Sequence, residues 1–212
     1  MGAEQVDPRA VRSRAALVAA MTALLDERDL DGISITQVVQ AAGVTRPTFY
    51  QHYGDIAHLA SDAAVGRLDA EFDHRESGPL SVEGWLTGVE PMVTRLLAHL
   101  AEHRDFYRRV LYGLGTRAAT DAAVDLVARR ILERSPLGAL AGQPGAPDPE
   151  ETQDSVVIIS GGIVWLITSW LSTELTGRDT VKAMAHRVSV QLVRLALAAG
   201  AAPPAPRVEQ AG

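Results

Sequence analysis

Residues 34–53 read SITQVVQAAGVTRPTFYQHY, and no other stretch of the chain leaves the backbone so few options. Ser34 precedes an apolar run and can cap a first helix, its hydroxyl accepting from one of the amides a helix N-terminus leaves unpaired. Val38, Val39, Ala41 and Ala42 supply small apolar positions for close helix packing. Gly43 stands where that short helix must stop, because glycine enters the left-handed region without a Cβ clash. Thr45 can cap a second helix, and Pro47 falls in its first turn, where a missing amide hydrogen costs nothing. Two short helices joined by a tight glycine turn form the unit that seats its second helix in the major groove of DNA. On that second helix Arg46, Thr48, Tyr50, Gln51 and His52 can all bond base edges or phosphates, and Phe49 is the inward anchor.

The rest of the chain reads as more helices. Over residues 8–28, Val11, Ala15, Leu17, Val18, Met21, Leu24 and Leu25 recur at the three- and four-residue spacing of one buried helix face. Asp55 can cap a fourth helix running to about residue 73, and HRESGPLS, residues 74–81, is a natural break, with Ser81 placed to cap the next helix. Helices are expected over residues 82–101, with Trp85, Leu86, Val89, Met92, Val93, Leu96, Leu97 and Leu100 apolar and a kink at Pro91; over 104–114; and over 117–134. Residues 135–149 hold four prolines and three glycines, which suits a long connection without a regular element. Residues 156–171, VVIISGGIVWLITSWL, are apolar almost all round. That run is shorter than the roughly 20 residues a membrane span needs, so a helix buried on every side is expected instead. A last helix covers 181–199, and the Pro- and Ala-rich tail, 201–212, is expected to be disordered. No useful strand-like alternation occurs, so the fold class is all-α with about nine helices. The expected divisions are residues 8–54 for the helix-turn-helix domain and 55–200 for the larger remainder.

Composition constrains the chemistry more than the fold. The chain has 212 residues, 47% of them hydrophobic, and no cysteine, which excludes disulfides, thiol catalysis and cysteine metal sites. Its polar N-terminus lacks the apolar core of a signal peptide, so a cytoplasmic location is expected. The net charge of −6 is unusual for a nucleic-acid binder. Even residues 1–60 carry five arginines (9, 12, 14, 28, 46) against seven acids (4, 7, 26, 27, 29, 31, 55), a net of −2. Placement must therefore do the steering, through Arg9, Arg12 and Arg14 with Arg46, while four acids crowd into residues 26–31.

Gly43, Val44, Thr45, Arg46, Pro47, Thr48, Phe49, Tyr50, Gln51, His52 and Tyr53 stand in register with the motif Gly-Val-x-x-x-Thr-Φ-Tyr-x-His-Φ, where Φ is apolar or aromatic. In this stretch the chain resembles the tetracycline-repressor (TetR) family of one-component regulators. The resemblance implies three helices for the DNA-binding domain and roughly six for the remainder. It implies that Arg46, Pro47 and Tyr50 face bases and that Thr48, Gln51 and His52 touch phosphates. The chemistry agrees, since Arg46 can donate to guanine O6 and N7 while Pro47 and Tyr50 lie against thymine methyls. Thr45, Thr36, Arg9 and Arg12 are further candidates for DNA contact. The family often carries a lysine where this chain has Ile56, which removes one expected phosphate contact, and His58 is a partial substitute.

One short helix reads few base pairs, so a homodimer on a palindromic operator is expected. The resemblance places the interface on the last two long helices, and Ser160, Gly161, Gly162, Val188, Leu192 and Leu195 are the candidates. It also implies an inducer site, for which Trp85, Met92, His99, Phe106, Tyr107, Tyr112 and Trp165 are candidates, with an apolar or aromatic ligand because few charges fall among these faces. His99 and His103, four apart, have a spacing that could hold a metal, but no third ligand is assured. No catalytic motif, cofactor motif or metal site is read from the sequence. The expectation is a ligand-released repressor; the alternative is a helical ligand-binding or scaffold dimer whose helix-turn-helix no longer binds DNA.

Overall fold

The computed structural model describes residues 7–72, 80–112, 116–137, 148–176 and 179–200. Among these the protein is all-helical, with nine α-helices and one short 3-10 turn. They are α1 (Pro8–Glu27), the 3-10 turn Leu30–Gly32, α2 (Ile35–Ala42), α3 (Arg46–His52), α4 (Ile56–Asp69), α5 (Val82–Glu102), α6 (Arg104–Tyr112), α7 (Thr116–Arg134), α8 (Pro149–Leu171) and α9 (Val181–Gly200). The tail 201–212 and most of the Pro/Gly-rich connection, together with the break after residue 73, lie outside the described residues. Where that connection is described, the expectation of no regular element fails: Pro136 and Leu137 begin a helical turn and are buried.

Local chemistry sets most helix starts. Asp55 accepts from the His58 amide at 2.8 Å to begin α4, and Ser81 accepts from the Gly84 amide at 3.1 Å to begin α5. Asp148 accepts from the amides of Glu150 and Glu151 at the start of α8, where both acids also suit the positive end of the helix dipole. Along α1 the inward stripe is Leu17, Ala20, Met21 and Leu25, whereas Val11 and Ala15, expected on the buried face, are exposed and border an open groove with His52 and Asp62. Leu86 on α5 is likewise exposed.

Helix α1 packs against α2 and α4, α4 against α7, α7 against α8, and α5 against α9. One connected cluster of buried side chains runs from Leu17, Met21 and Phe49 through Leu59 and Ala63 on α4 to Trp85, Leu97, Ile131 and Met184. Helix α4 is thus core to both the N-terminal head and the larger body. At roughly 1.5–3 kcal/mol per fully buried large apolar side chain, this continuity couples the two parts energetically.

Helix α8 departs from the all-round burial expected of it. Val156, Ser160, Ile163, Val164, Trp170 and Leu171 face the interior, but Ile158 is 73% exposed and Trp165 is 71% exposed. By length and composition it is, among the described residues, the one helix apolar enough to cross a membrane. Three acids in its first two turns, Glu150, Glu151 and Asp154, and its packing on α7 mark it as a body helix with one open apolar face.

Candidate nucleic-acid interface and ligand cavity

The turn between α2 and α3 is built as its residues dictate. Ser34 and Gln37 form a reciprocal capping box: the Gln37 amide donates to Ser34 Oγ at 3.3 Å, and the Ser34 amide donates to Gln37 Oε1 at 2.8 Å. Gly43 ends α2 in the left-handed region, φ 65° and ψ 30°, and the Val44 amide closes back onto the Val39 carbonyl at 3.0 Å. Thr45 caps α3 through the Thr48 amide at 3.3 Å, and the two threonine hydroxyls share a 2.8 Å hydrogen bond.

Seven residues make barely two turns, too few to hold a helix without tertiary support. Phe49, fully buried, and Tyr53 supply it, their rings 6.1 Å apart. With Phe49 turned in, Arg46, Pro47, Tyr50 and Gln51 are turned out. Tyr50 is 57% exposed and stands edge-on to Phe49 at 5.4 Å, a surface group rather than a core aromatic. The Arg46 guanidinium reaches back to α2 and donates to Thr36 Oγ1 at 2.6 Å, which joins two of the candidate DNA contacts in one exposed pair. Thr48 is half-buried. His52 is half-buried too, and its Nε2 shares a 2.7 Å hydrogen bond with Ser13 Oγ, fastening α3 to α1. Arg9 is exposed at the start of α1, and Arg12 is exposed with its Nε donating to the Pro8 carbonyl at 3.2 Å.

The arginine cluster expected at this end is smaller than the sequence count. Arg14 makes a two-point ion pair with Asp62 of α4, at 2.8 and 3.0 Å. Tyr53 donates to the same carboxylate. Burial first, then its bond to Asp62, pushes the Tyr53 hydroxyl up to about 12, while the Tyr53 oxygen and the Asp62 charge raise the Arg14 pKa further. Arg14 therefore serves the join between α1, α3 and α4. Ile56 is half-buried against the core, which explains why an apolar residue is tolerated there, and His58 turns its Nδ1 to the capping Asp55 at 2.8 Å. Ser13 and Asp62 carry this joint, and nothing in their local sequence marked them.

In the body, a cavity of about 80 Å³ lies between α4, α5, α7, α8 and α9, with Trp85 and Met92 in its wall, as expected, beside Leu97, Ile131, Val188 and Leu192. A second cavity of about 70 Å³ adjoins it and takes in Tyr107. The remaining pocket candidates are elsewhere. Phe106 is buried beneath the Arg67 guanidinium, 4.6 Å from its ring centroid. His99 bonds the Tyr107 hydroxyl through Nε2 at 2.9 Å and faces Glu71 through Nδ1 at 3.3 Å, and burial holds its pKa below the ordinary 6.5. The Arg67 guanidinium donates to His103 Nδ1 at 2.9 Å. Tyr112 is exposed and donates to the Thr168 carbonyl at 2.7 Å, and Trp165 points away from the body, so neither lines the cavity.

The interface candidates divide in the same way. Ser160, on the inner side of α8, is buried within its own chain, and so are Val188 and Leu192, because α9 lays that stripe against α5. Leu195 and Gly161 are half-buried and Gly162 is exposed. The open apolar groups on these two helices are Val157, Ile158 and Trp165 on α8 and Leu197 on α9.

Residues 17–63 match the family model for bacterial regulatory proteins of the tetR family. Among solved structures, a TetR transcriptional regulator from Rhodococcus sp. RHA1 shares the fold with a TM-score of 0.61 at 16% identity, covering 88% of this chain and 97% of that one. A tetR-family transcriptional regulator from Streptomyces coelicolor matches with a TM-score of 0.48 at 18% identity, covering 94% of this chain and 91% of that one. Comparison with curated proteins finds no match. A helix-turn-helix head with an outward-facing second helix, set on a larger helical body, defines a DNA-binding transcriptional regulator. Residues 17–63 thus carry the helix-turn-helix of the tetR-family model, and the chain as a whole shares the fold of a TetR transcriptional regulator.

Proposed function

We propose that the protein works as a homodimeric, cytoplasmic repressor that binds a palindromic operator and is released from it by a small, largely apolar ligand. The observation that carries this reading is the open apolar face of α8. Ile158 and Trp165, seven residues apart and so on one side of the helix, are 73% and 71% exposed, with the bare positions Gly161 and Gly162 between them. A second copy laid on that face would cover two large side chains that water otherwise meets, and the glycines would let the helices approach closely.

Two α3 helices related by the dimer axis would read two half-sites, with Arg46, Pro47 and Tyr50 toward bases and Thr45, Thr48, Gln51, Thr36, Arg9 and Arg12 toward phosphates. The paired body cavities support release by a ligand: filling them would move the helices that hold α4, and with it the reading head. The test has two arms. Sedimentation at micromolar concentration is expected to give a dimer. A shift assay with the DNA flanking the protein's own gene is expected to show specific retention that weakens steeply with salt. A monomer in the first arm, or no retention at low salt in the second, would overturn the proposal.

A further inference from the structure

Two cavities lie side by side in the body, and both are walled by hydrocarbon. Among the described residues, Leu, Ile, Val, Met and Phe side chains bound the 80 Å³ cavity, with the apolar parts of Trp85, Arg130 and Arg134, whose nitrogens do not open into it. Arg130 directs its guanidinium at Asp69 and Glu133 instead, at 2.6 and 2.8 Å. In the 70 Å³ cavity the Tyr107 hydroxyl is likewise turned away, onto His99. Neither space is therefore faced by a hydrogen-bonding group among the described residues.

Voids larger than a water molecule are few in a protein interior, and each costs stability in proportion to its volume. Here two adjoin. Leu68 of α4, Leu100 of α5, Leu126 and Val127 of α7 and Ile167 of α8 belong to both walls and form the septum between them. All five are aliphatic, so parting them breaks no side-chain hydrogen bond. Each chamber is about half the roughly 150 Å³ known to hold a benzene ring, and the two together match it. A ring thus fits neither chamber alone, whereas an unbranched chain threaded through the septum fills both. A hydroxyl, amine or carboxylate carried inside would give up its water and find no partner.

Building on the ligand-release reading above, we propose that the ligand is a neutral, unbranched hydrocarbon without a hydrogen-bonding group, lying across the septum with one end in each chamber. Selectivity then comes from the wall itself. Polar analogues are excluded because they lose hydration, and wide ones because the septum parts only far enough for a chain. Leu68 gives occupancy a route to the reading head, since it shares α4 with Asp62, which holds Arg14 of α1 and Tyr53 at the end of α3.

The test uses the full-length protein and three probes of equal carbon number: n-hexane, cyclohexane and hexane-1,6-diol. Headspace gas chromatography over the protein solution reads uptake of the two hydrocarbons, and competition against n-hexane reads the diol. Saturable uptake of one n-hexane per subunit is expected, with cyclohexane at least tenfold weaker and no displacement by the diol at about a hundredfold excess. Ala123→Leu, which puts a larger side chain into the second chamber, is expected to cut n-hexane uptake at least tenfold. Val127→Ala, which opens the septum, is expected to bring cyclohexane to within about threefold of n-hexane. Displacement of n-hexane by the diol, cyclohexane bound as tightly as n-hexane by the wild type, or n-hexane uptake unmoved by a folded Ala123→Leu variant would each overturn the proposal. Uptake of neither hydrocarbon by protein that still retains operator DNA would overturn it too and leave the regulator reading intact. Uptake of n-hexane with operator DNA held as tightly as before would keep the hydrocarbon site and remove ligand release.

Discussion

Replacing Gly43 by alanine isolates the cost of the turn on which the helix-turn-helix depends. Gly43 is the one residue of positive φ among the described residues, and a Cβ built on it meets nothing within 4 Å. Steric contact with neighbours therefore drops out and only the backbone term remains. An L-residue held in the left-handed region costs about 1–2 kcal/mol, offset by about 0.4–1 kcal/mol because alanine restricts the unfolded chain, so the net loss is about 1 kcal/mol. For a chain of this size that corresponds to a fall of about 2–4 °C in melting temperature at fixed protein concentration. Gly43→Asn should lose less, since asparagine visits this region more readily. Gly66→Ala on α4 is the control of opposite sign: its Cβ also meets nothing, but it sits in a helix interior, where alanine gains roughly 0.5–1 kcal/mol. Thermal unfolding followed by circular dichroism reads all three. A Gly43→Ala melt within a degree of wild type, or an asparagine variant less stable than the alanine one, would refute the argument that backbone conformation dominates this turn.

Arg46→Ala should leave the melting temperature nearly unchanged, because its bond to Thr36 is on the surface, yet weaken operator binding by about 1–3 kcal/mol per half-site with relaxed base preference at one position; a binding titration against base-substituted operators reads it. Arg12→Gln should lower the salt slope of operator binding by about 1 per subunit, whereas Arg14→Gln should leave the slope alone and lower the melting temperature, since Arg14 is spent on Asp62; equal slopes for the two variants would contradict the assignment. Trp165→Glu should give a monomer in sedimentation without loss of helical content, because the side chain is mostly outside its own core. His99 is held below its ordinary 6.5 by burial, with Glu71 opposing that shift and His103 and Arg67 adding to it. The sign follows: its neutral form is favoured on folding, so the contribution is complete above pH 6.5 and is lost as pH falls from there through the folded value. His99→Gln should flatten stability against pH in that window, and an unchanged slope would exclude His99 as its source.

What the sequence disclosed was short-range. Ser34 with Gln37, Thr45 with Thr48 and Asp55 with His58 each lie three residues apart, and Gly43 acts through its own φ, so their roles could be read without knowing what lay across the fold. The Arg14–Asp62–Tyr53 joint could not, because its partners are 48 and 9 residues apart and Asp62 sits in mid-helix with nothing to distinguish it from a solvated acid. Apolar periodicity also cannot separate a core face from an interface face. It therefore put Val188 and Leu192 at the dimer contact and Trp165 in the pocket, when α9 turns the first two inward and α8 turns the third outward. Nothing in the sequence singled out Arg130 and Arg134 of α7, which line one end of an apolar cavity.

These contacts converge on α4. Its fourteen residues span about 21 Å, enough to reach from the head into the body. In its middle, Asp62 secures Arg14 and Tyr53, while Ala60, Ala63 and Ala64 bury short side chains between α1 and α7. Toward its C-terminus, Arg67 holds Asp26 of α1 at 2.7 Å, Leu68 stands in the septum between the two cavities, and Asp69 holds Arg130. Leaving Asp69 or Arg130 alone would be costly, because both side chains are largely covered. Asp69 also has Arg129 within 3.7 Å. The close packing of α4 on α1 and α7 leaves the helix little freedom to absorb a shift of its C-terminal end before that shift reaches α3.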